Sequence, residues 1–220
     1  MMGKALTGRL VSLLGLLAIC AGCAPTAPAS PPMELPESYI VADDFTHPNP
    51  GWARYETETA AVYALAGELF LEDRGKGTAV YTPLIGYDHA DVVIDVDIRH
   101  VQGTADNWMG VLCRLTDEET YYLLAISADG YYLLLRATDG ETRALAGPEY
   151  SEHIRLGRAE NRLRARCDGP TLTLWVNDER LITYRDPTPL VGEGVGLFAD
   201  AVPRGEIAVV AFDNFVLTAP

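Results

Sequence analysis

The sequence predicts an all-β domain, a sandwich or a barrel, and three observations carry that prediction. Asp91 to Val101 alternates without a break, with Val92, Ile94, Val96 and Ile98 on one face and Asp95, Asp97 and Arg99 on the other; a period of two is the strand period. Asn107 to Arg136 reads NWMGVLCRLTDEETYYLLAISADGYYLLLR, three extended runs interrupted only by Thr116-Asp117-Glu118-Glu119 and Asp129-Gly130, both of hairpin chemistry. About a dozen short runs at close spacing, with almost no helical periodicity, complete the pattern. The Asn107 to Arg136 stretch is a β-meander, and because it holds one Trp, four of the eleven Tyr and one Cys it is expected at the centre of a sheet.

The remaining elements follow from turn residues. Tyr39 to Phe45 is a short extended run, ended by His47-Pro48-Asn49-Pro50-Gly51. Ala61 to Leu65 and Glu68 to Glu72 flank Ala66-Gly67 as a hairpin, and Thr78 to Leu84 follows the glycine-bearing Arg74 to Gly77. After the meander come Arg143 to Ala146 and then Ser151 to Glu160, the one stretch with a helical reading, which Gly157 weakens. Arg162 to Cys167 alternates, Asp168-Gly169-Pro170 turns the chain, Thr171 to Asn177 alternates again, and Asn177-Asp178-Glu179 turns it into Arg180 to Tyr184. Gly194 to Ala199 and Ile207 to Leu217 close the domain.

Ahead of this domain, Met1 to Gly22 has a basic start at Lys4 and Arg9 and an apolar run from Leu10 to Ile19, the pattern of a signal peptide. The run is too short for a permanent membrane span once cut at Cys23. Cys20-Ala21-Gly22-Cys23 resembles a bacterial lipobox, which implies cleavage before Cys23 and lipidation of its sulfur; the first box position is usually Leu and here is Cys20, so simple secretion stays open. Residues 23 to 38 then carry Pro25, Pro28, Pro31, Pro32 and Pro36 among small residues, a tether with no means of building a core. The expected organisation is signal peptide 1–22, lipidated Cys and Pro-rich tether 23–38, and one β domain 39–220, anchored outside the cytoplasm by lipid alone.

Charge limits the partners. The formal charge of the chain is −14, and removal of Met1 to Gly22, which holds Lys4 and Arg9 and no acidic residue, takes it to −16. Nucleic acid and acidic lipid headgroups are therefore disfavoured. Beyond Cys23 the domain keeps Cys113 and Cys167, an even pair that suits an oxidising compartment. Each alternates with apolar residues on its own run, so a disulfide is expected, with two buried free thiols as the alternative.

The residues Asp44-Phe45 with Gly51-Trp52, Gly67-Glu68-Leu69, Asn107 with Gly110-Val111 and Arg114, Tyr121-Tyr122, Asn177 and Asp213-Asn214-Phe215 resemble the concanavalin A-like lectin/glucanase superfamily. Within it the nearest branch is the domain of unknown function 1080, or 3-keto-disaccharide hydrolase-like, group. The resemblance covers nearly all of Tyr39 to Pro220. It implies a two-sheet antiparallel jelly-roll sandwich, with sugars bound on the concave sheet or the loops at its rim.

Glycoside hydrolysis requires a carboxyl group to protonate the leaving oxygen and a second to attack or to activate water. The glucanases of this superfamily carry Glu-x-Asp-x-x-Glu on one strand, which this chain lacks. Asp95 and Asp97 are the nearest counterpart; the other reading makes them the solvated face of a strand, paired to Arg114 or Arg136. Asn107, Trp108, Arg114, Tyr122 and Arg136 are the candidate ligand-binding platform, aromatic and polar together, with core packing of the aromatics as the alternative. Trp52 and Trp175 are assigned to packing. Asp43, Asp44 and Asp213, at the two chain ends, are oxygen donors of the kind Ca²⁺ takes, though no Ca²⁺ loop motif surrounds them and turn capping explains them equally. His47, His89, His100 and His153 are scattered, no serine stands in Gly-x-Ser-x-Gly, and no cofactor motif occurs. The expected function is an envelope-anchored, non-catalytic carbohydrate-binding domain; a hydrolase of glycosides or modified disaccharides and a structural module of a surface assembly are the alternatives.

Overall fold

The computed structural model describes residues 39–77 and 79–220; the signal peptide, Cys23 and the tether lie outside them. The strands are β1 (Val41–Asp43), β2 (Tyr55–Glu56), β3 (Ala60–Leu65), β4 (Glu68–Asp73), β5 (Val80–Pro83), β6 (Val92–Gly103), β7 (Trp108–Asp117) and β8 (Thr120–Ser127). They continue as β9 (Tyr131–Thr138), β10 (Glu141–Tyr150), β11 (Asn161–Asp168), β12 (Thr171–Val176), β13 (Glu179–Arg185), β14 (Gly194–Asp200) and β15 (Ala208–Thr218). They form a nine-stranded sheet in the order β13-β12-β11-β6-β15-β4-β3-β2, with β1 also on β15, and a six-stranded sheet in the order β10-β9-β8-β7-β14-β5. Every pairing between named strands is antiparallel.

The core lies between the sheets and is built from the alternation the sequence shows. Val92, Ile94, Val96 and Ile98 of β6 are fully buried, beside Leu163, Ala165 and Cys167 of β11 and Val210 and Phe212 of β15. From the smaller sheet, Val111, Leu124, Ile126, Leu134 and Leu197 meet them. Truncating one such side chain, Ile98→Ala for example, removes its transfer energy and leaves a cavity, a cost of about 3 kcal/mol. The meander β7-β8-β9 sits inside the smaller sheet, flanked by β10 and β14. Cys113 of β7 and Cys167 of β11 form the expected disulfide, with Cα atoms 6.7 Å apart, and so join one sheet to the other through the core.

Ser151 to Glu160 is not a helix. Ile154 N–H donates to the Ser151 carbonyl, Gly157 N–H to Ala128 of a different strand connection, and Gly157 has φ +68°. The buried Asn161 side chain replaces a helical ladder: its Oδ1 accepts from Arg155 N–H at 2.8 Å and its Nδ2 donates to the Arg155 carbonyl at 3.0 Å. A side chain that bonds the backbone locally competes with regular structure in this way. The Asn177-Asp178 turn behaves as predicted, both residues lying at positive φ (52° and 71°), the geometry that suits a two-residue hairpin.

Candidate functional site

The smaller sheet is apolar on both faces, and this creates the site. Strand pairing sets Tyr81 beside Phe198, Phe198 beside Gly110 and Gly110 beside Ala125, and sets Leu112 beside Leu123 and Leu123 beside Leu135. These residues point away from the core, where Leu112, Leu123, Ala125 and Phe198 pack together with Trp108, Tyr81 and Tyr121 against them. Fully buried strands of this kind read as continuous hydrophobic runs, whereas half-buried strands alternate. The larger sheet is more mixed: its outer face carries Asp95, Asp97, Arg99, Arg162 and Arg164 beside a small apolar cluster of Phe70, Val209 and Ala211.

A cleft of about 490 Å³ opens on the outer face of the smaller sheet. Trp108, Tyr121 and Phe198 supply aromatic walls, Leu123, Leu133 and Leu135 an apolar floor, and Thr142 a hydroxyl. One end is closed where two strands run into loops: Asp73 ends β4 and Gly75 follows it, and Asp200 ends β14, followed by Ala201, Val202 and Arg204. Asp73 ties those loops together. Its Oδ1 accepts from Gly75 N–H at 2.8 Å and its Oδ2 from Ala201 N–H at 2.9 Å, and it is only 2% exposed. Thr104 donates to the Val202 carbonyl and holds the second loop from the other side.

Asp200 has a different environment. Burial, and then the neighbouring charge of Asp73, push its carboxyl up to about 6, against the opposing pull of Arg204. The phenol of Tyr121 is raised as well, by burial first and by Asp200 second. The cleft thus offers aromatic faces, an apolar floor, a carboxyl that changes charge near neutrality, a hydroxyl and a guanidinium. A few polar groups fixed among apolar surfaces are the usual composition of a small-molecule or sugar site.

The platform expected from the sequence is dispersed. Trp108 alone of its five residues lines the cleft. Asn107 is wholly buried, with neither side-chain amide atom paired to protein. Tyr122 is Cys113's cross-strand neighbour and therefore faces the core, 1% exposed. Its hydroxyl donates to Asp186 Oδ2 at 2.6 Å and accepts from Leu190 N–H at 3.0 Å. Arg136 donates to the same Asp186 oxygen at 2.9 Å and to the Thr188 carbonyl at 2.6 Å. These two residues thus fasten the β13–β14 connection.

Arg114 sits in a β-bulge at φ +53°, where the register between β7 and β8 shifts. The bulge breaks the alternation that would have aimed it outward. Its Nη2 donates instead to Asp91 Oδ1 and, at 3.2 Å, to the Gly169 carbonyl.

Asp95 and Asp97 lie on the opposite side of the sandwich from the cleft, and their partners are neither Arg114 nor Arg136. Arg164 Nε donates to Asp95 Oδ1 at 2.8 Å, Arg162 Nη1 to Asp97 Oδ1 at 3.1 Å and Asn214 Nδ2 to Asp97 Oδ2 at 2.8 Å. The arginines come from β11, which pairs with β6 so that Arg164 stands opposite Asp95 and Arg162 opposite Asp97.

The oxygen donors considered for Ca²⁺ do not converge either. Asp43 accepts from Phe45 N–H, Asn49 Nδ2 and Trp52 Nε1, and Asp44 caps Thr46. Asp213 stands opposite Asp97 on the larger sheet; burial and the charges of Asp97, Glu68 and Glu160 raise its carboxyl to about 6, against the hydrogen bond from Asn214 N–H. Trp52 is core, edge-on to Phe215 at 4.9 Å, whereas Trp175 lies half-buried on the outer face between Arg164 and Arg180.

Phe198, Asp200 and Arg204 are site residues that the sequence did not single out. A signal was present: the runs Tyr121 to Ile126 and Tyr131 to Leu135 do not alternate, so both of their faces require cover.

No protein-family model matches the sequence, and no characterised protein matches it at the sequence level. Solved structures do match the fold. The GH43 protein BlXynB from Bacillus licheniformis is 17% identical at a TM-score of 0.60, over 89% of this chain and 42% of that one. The β-glucanase of Bacillus licheniformis is 10% identical at 0.58, over 84% of this chain and 100% of its own. The cellulose induced protein Cip1 is 14% identical at 0.57, over 82% and 97%. At such identities the likeness is one of fold, and the chain shares with these proteins the two-sheet antiparallel jelly-roll sandwich of the concanavalin A-like type.

Proposed function

We propose that the domain binds carbohydrate, without catalysis, in the cleft on the outer face of its smaller sheet. The observation that carries this reading is the joining of Trp108, Tyr121 and Phe198 with Thr142, Asp200 and Arg204 around one apolar floor. Aromatic faces take the CH surfaces of sugar rings, and the polar groups fix their hydroxyls. The structures that share the fold include one named for glucan and one named for induction by cellulose.

Two carboxyl groups are needed for glycoside hydrolysis. In the cleft both oxygens of Asp73 are already held by backbone N–H groups, which leaves Asp200 alone to act. Asp95 and Asp97 are held by arginines on the far face. That arrangement favours binding over turnover. The raised carboxyl of Asp200 is the one feature that favours the second reading, a hydrolase of glycosides or modified disaccharides of the 3-keto-disaccharide hydrolase-like branch, since a proton donor near neutrality suits acid catalysis.

In this reading the signal peptide delivers the chain, lipid on Cys23 anchors it, the Pro-rich tether holds the domain away from the membrane, and the Cys113–Cys167 disulfide suits an oxidising extracytoplasmic space. The test is a glycan-array screen of the oxidised protein, with turnover assayed on every hit. Trp108→Ala and Tyr121→Ala should each weaken binding by roughly thirtyfold, the effect of losing about 2 kcal/mol from a central aromatic contact. Unchanged affinity in both variants would remove this cleft as the site. Turnover abolished by Asp200→Asn would replace the binding reading with the hydrolase.

A further inference from the structure

We infer that a second hollow, at the opposite end of β14 from the cleft, binds a small organic ammonium ion by its charge and its alkyl body together. The inference is independent of the carbohydrate-binding reading and concerns a different site.

This hollow measures about 360 Å³ and is bounded by Tyr81 and Pro83 of β5, Ile85 just beyond it, Leu115 of β7, and Asp88, Asp117 and Glu118. It exists because β14 runs between β5 and β7 and contributes Gly194 there, which has no side chain to fill the space between its neighbours. The backbone fixes the β5 wall: Leu84 N–H donates to the Val195 carbonyl at 2.9 Å, and Ile85 N–H to the Gly51 carbonyl at 2.8 Å. The hollow does not run on into the cleft, since Leu112 and Leu123 are 0% and 2% exposed beneath Tyr81, Trp108 and Tyr121. Within it, Ile85 is 60% exposed and Pro83 and Leu115 are half-buried, so apolar surface stands open to a ligand.

The polar lining selects the charge. Asp88, Asp117 and Glu118 are exposed, no cation stands among the described lining residues, and the ion pairs of the domain use other carboxylates. Glu118 lies beside two phenols: burial raises Tyr55 and Tyr81, and the Glu118 charge raises both further, Tyr81 to about 12. Carboxylates beside an aromatic face attract an ammonium ion, and Pro83, Ile85 and Leu115 would cover its carbon chain. A bare metal ion is not favoured, because among the described residues no three ligating side chains converge on one point. The overall charge of −14 concentrates cations around the domain and repels anions.

The test is titration calorimetry of the oxidised protein at low salt with hexylammonium, hexyltrimethylammonium and cadaverine, beside hexanol and hexanoate as neutral and anionic counterparts. Hexylammonium should bind at least about tenfold more tightly than hexanol, with amide chemical shifts moving at Ile85, Leu115 and Gly194. Glu118→Gln and Asp88→Asn, at exposed positions, should each weaken it by about fivefold, and Ile85→Ala by about threefold. Glu152→Gln, an exposed carboxylate on the Ser151 to Glu160 segment, should leave it unchanged, and added salt should weaken hexylammonium but not hexanol. Hexanol or hexanoate binding as tightly as hexylammonium would overturn the selection of charge. An equal loss in Glu152→Gln would overturn the site in favour of diffuse attraction to an acidic surface. Tighter binding of an acetylated and amidated Leu-Lys-Leu peptide would overturn the free amine in favour of a lysine on a partner chain, and silence with every ammonium ion would overturn the inference outright. Glycan affinity should be the same in Glu118→Gln as in the wild type, so the failure of either site leaves the other standing.

Discussion

Replacing Cys113 and Cys167 together by Ala tests how the two sheets are held. The bridge closes a loop of sequence separation 54 between β7 and β11, in opposite sheets. In the chain-entropy model a loop of that length restricts the unfolded chain by about 4 kcal/mol at room temperature. Both cysteines are fully buried, and Ala leaves only a small void in their place, so the entropic contribution should dominate. For a domain of this size the expected fall in melting temperature is about 8 to 16 °C. Thermal melts and urea titrations followed by tryptophan fluorescence would measure it, comparing the oxidised protein with the double variant. Sugar affinity at low temperature should survive, because Trp108 lies about 17 Å along β7 from Cys113 and on its opposite face. A stability loss below about 1 kcal/mol would refute the argument, since it would mean that the unfolded chain is confined by something other than the disulfide.

Three further outcomes are expected. Asp186→Asn leaves the Arg136 guanidinium without its carboxylate and weakens the Tyr122 hydrogen bond; Asp186 is 1% exposed, so urea denaturation should show a loss of about 3 kcal/mol, and near-neutrality would refute the network's structural role. Asp200 and Asp213, raised to about 6 from 3.8, hold their protons more tightly folded than unfolded. Their contribution is present below the unfolded value and lost as pH rises through about 6, so Asp200→Asn with Asp213→Asn should flatten the fall in melting temperature between about pH 4 and 7. His100, lowered chiefly by burial, acts in the opposite direction in part of that window, and the wild-type comparison separates the two; an unaltered profile would refute the carboxyl assignment. Asp95→Asn and Asp97→Asn should leave glycan affinity and any turnover as in the wild type, since both sit on the far face; a loss of either would return them to the site.

The larger sheet was legible because its outer face meets water. Val92 to Ile98 announce their orientation by alternating with Asp95 and Asp97, and Cys167 follows the same parity along β11. Parity failed where the chain departs from a regular strand. A bulge at Arg114 turned a residue expected on the outer face into a tie between Asp91 and Gly169. It also hid the pairing of Tyr122 with Cys113, which makes Tyr121 rather than Tyr122 the outward tyrosine. Asp73 and Asp200 are far apart in the chain, and only the packing of the β4–β5 loop against the β14–β15 loop brings them together, so no local spacing could have paired them.

The strands without alternation build the face that holds the cleft. An antiparallel sheet at the surface normally exposes a polar side, as β6 and β11 do here. The smaller sheet instead carries Leu112, Leu123, Leu133 and Phe198 outward, and a bare apolar patch of that extent invites association. Trp108, Tyr121 and Tyr81 cover most of it, leaving hollows bounded by carboxylates. Stability alone does not call for such an arrangement, since polar outward residues would satisfy the fold at lower risk. An apolar outer face fenced by aromatic rings and acidic residues is therefore the surface to which the proposed carbohydrate site is assigned, and the net charge of −14 weighs against a polyanionic ligand there.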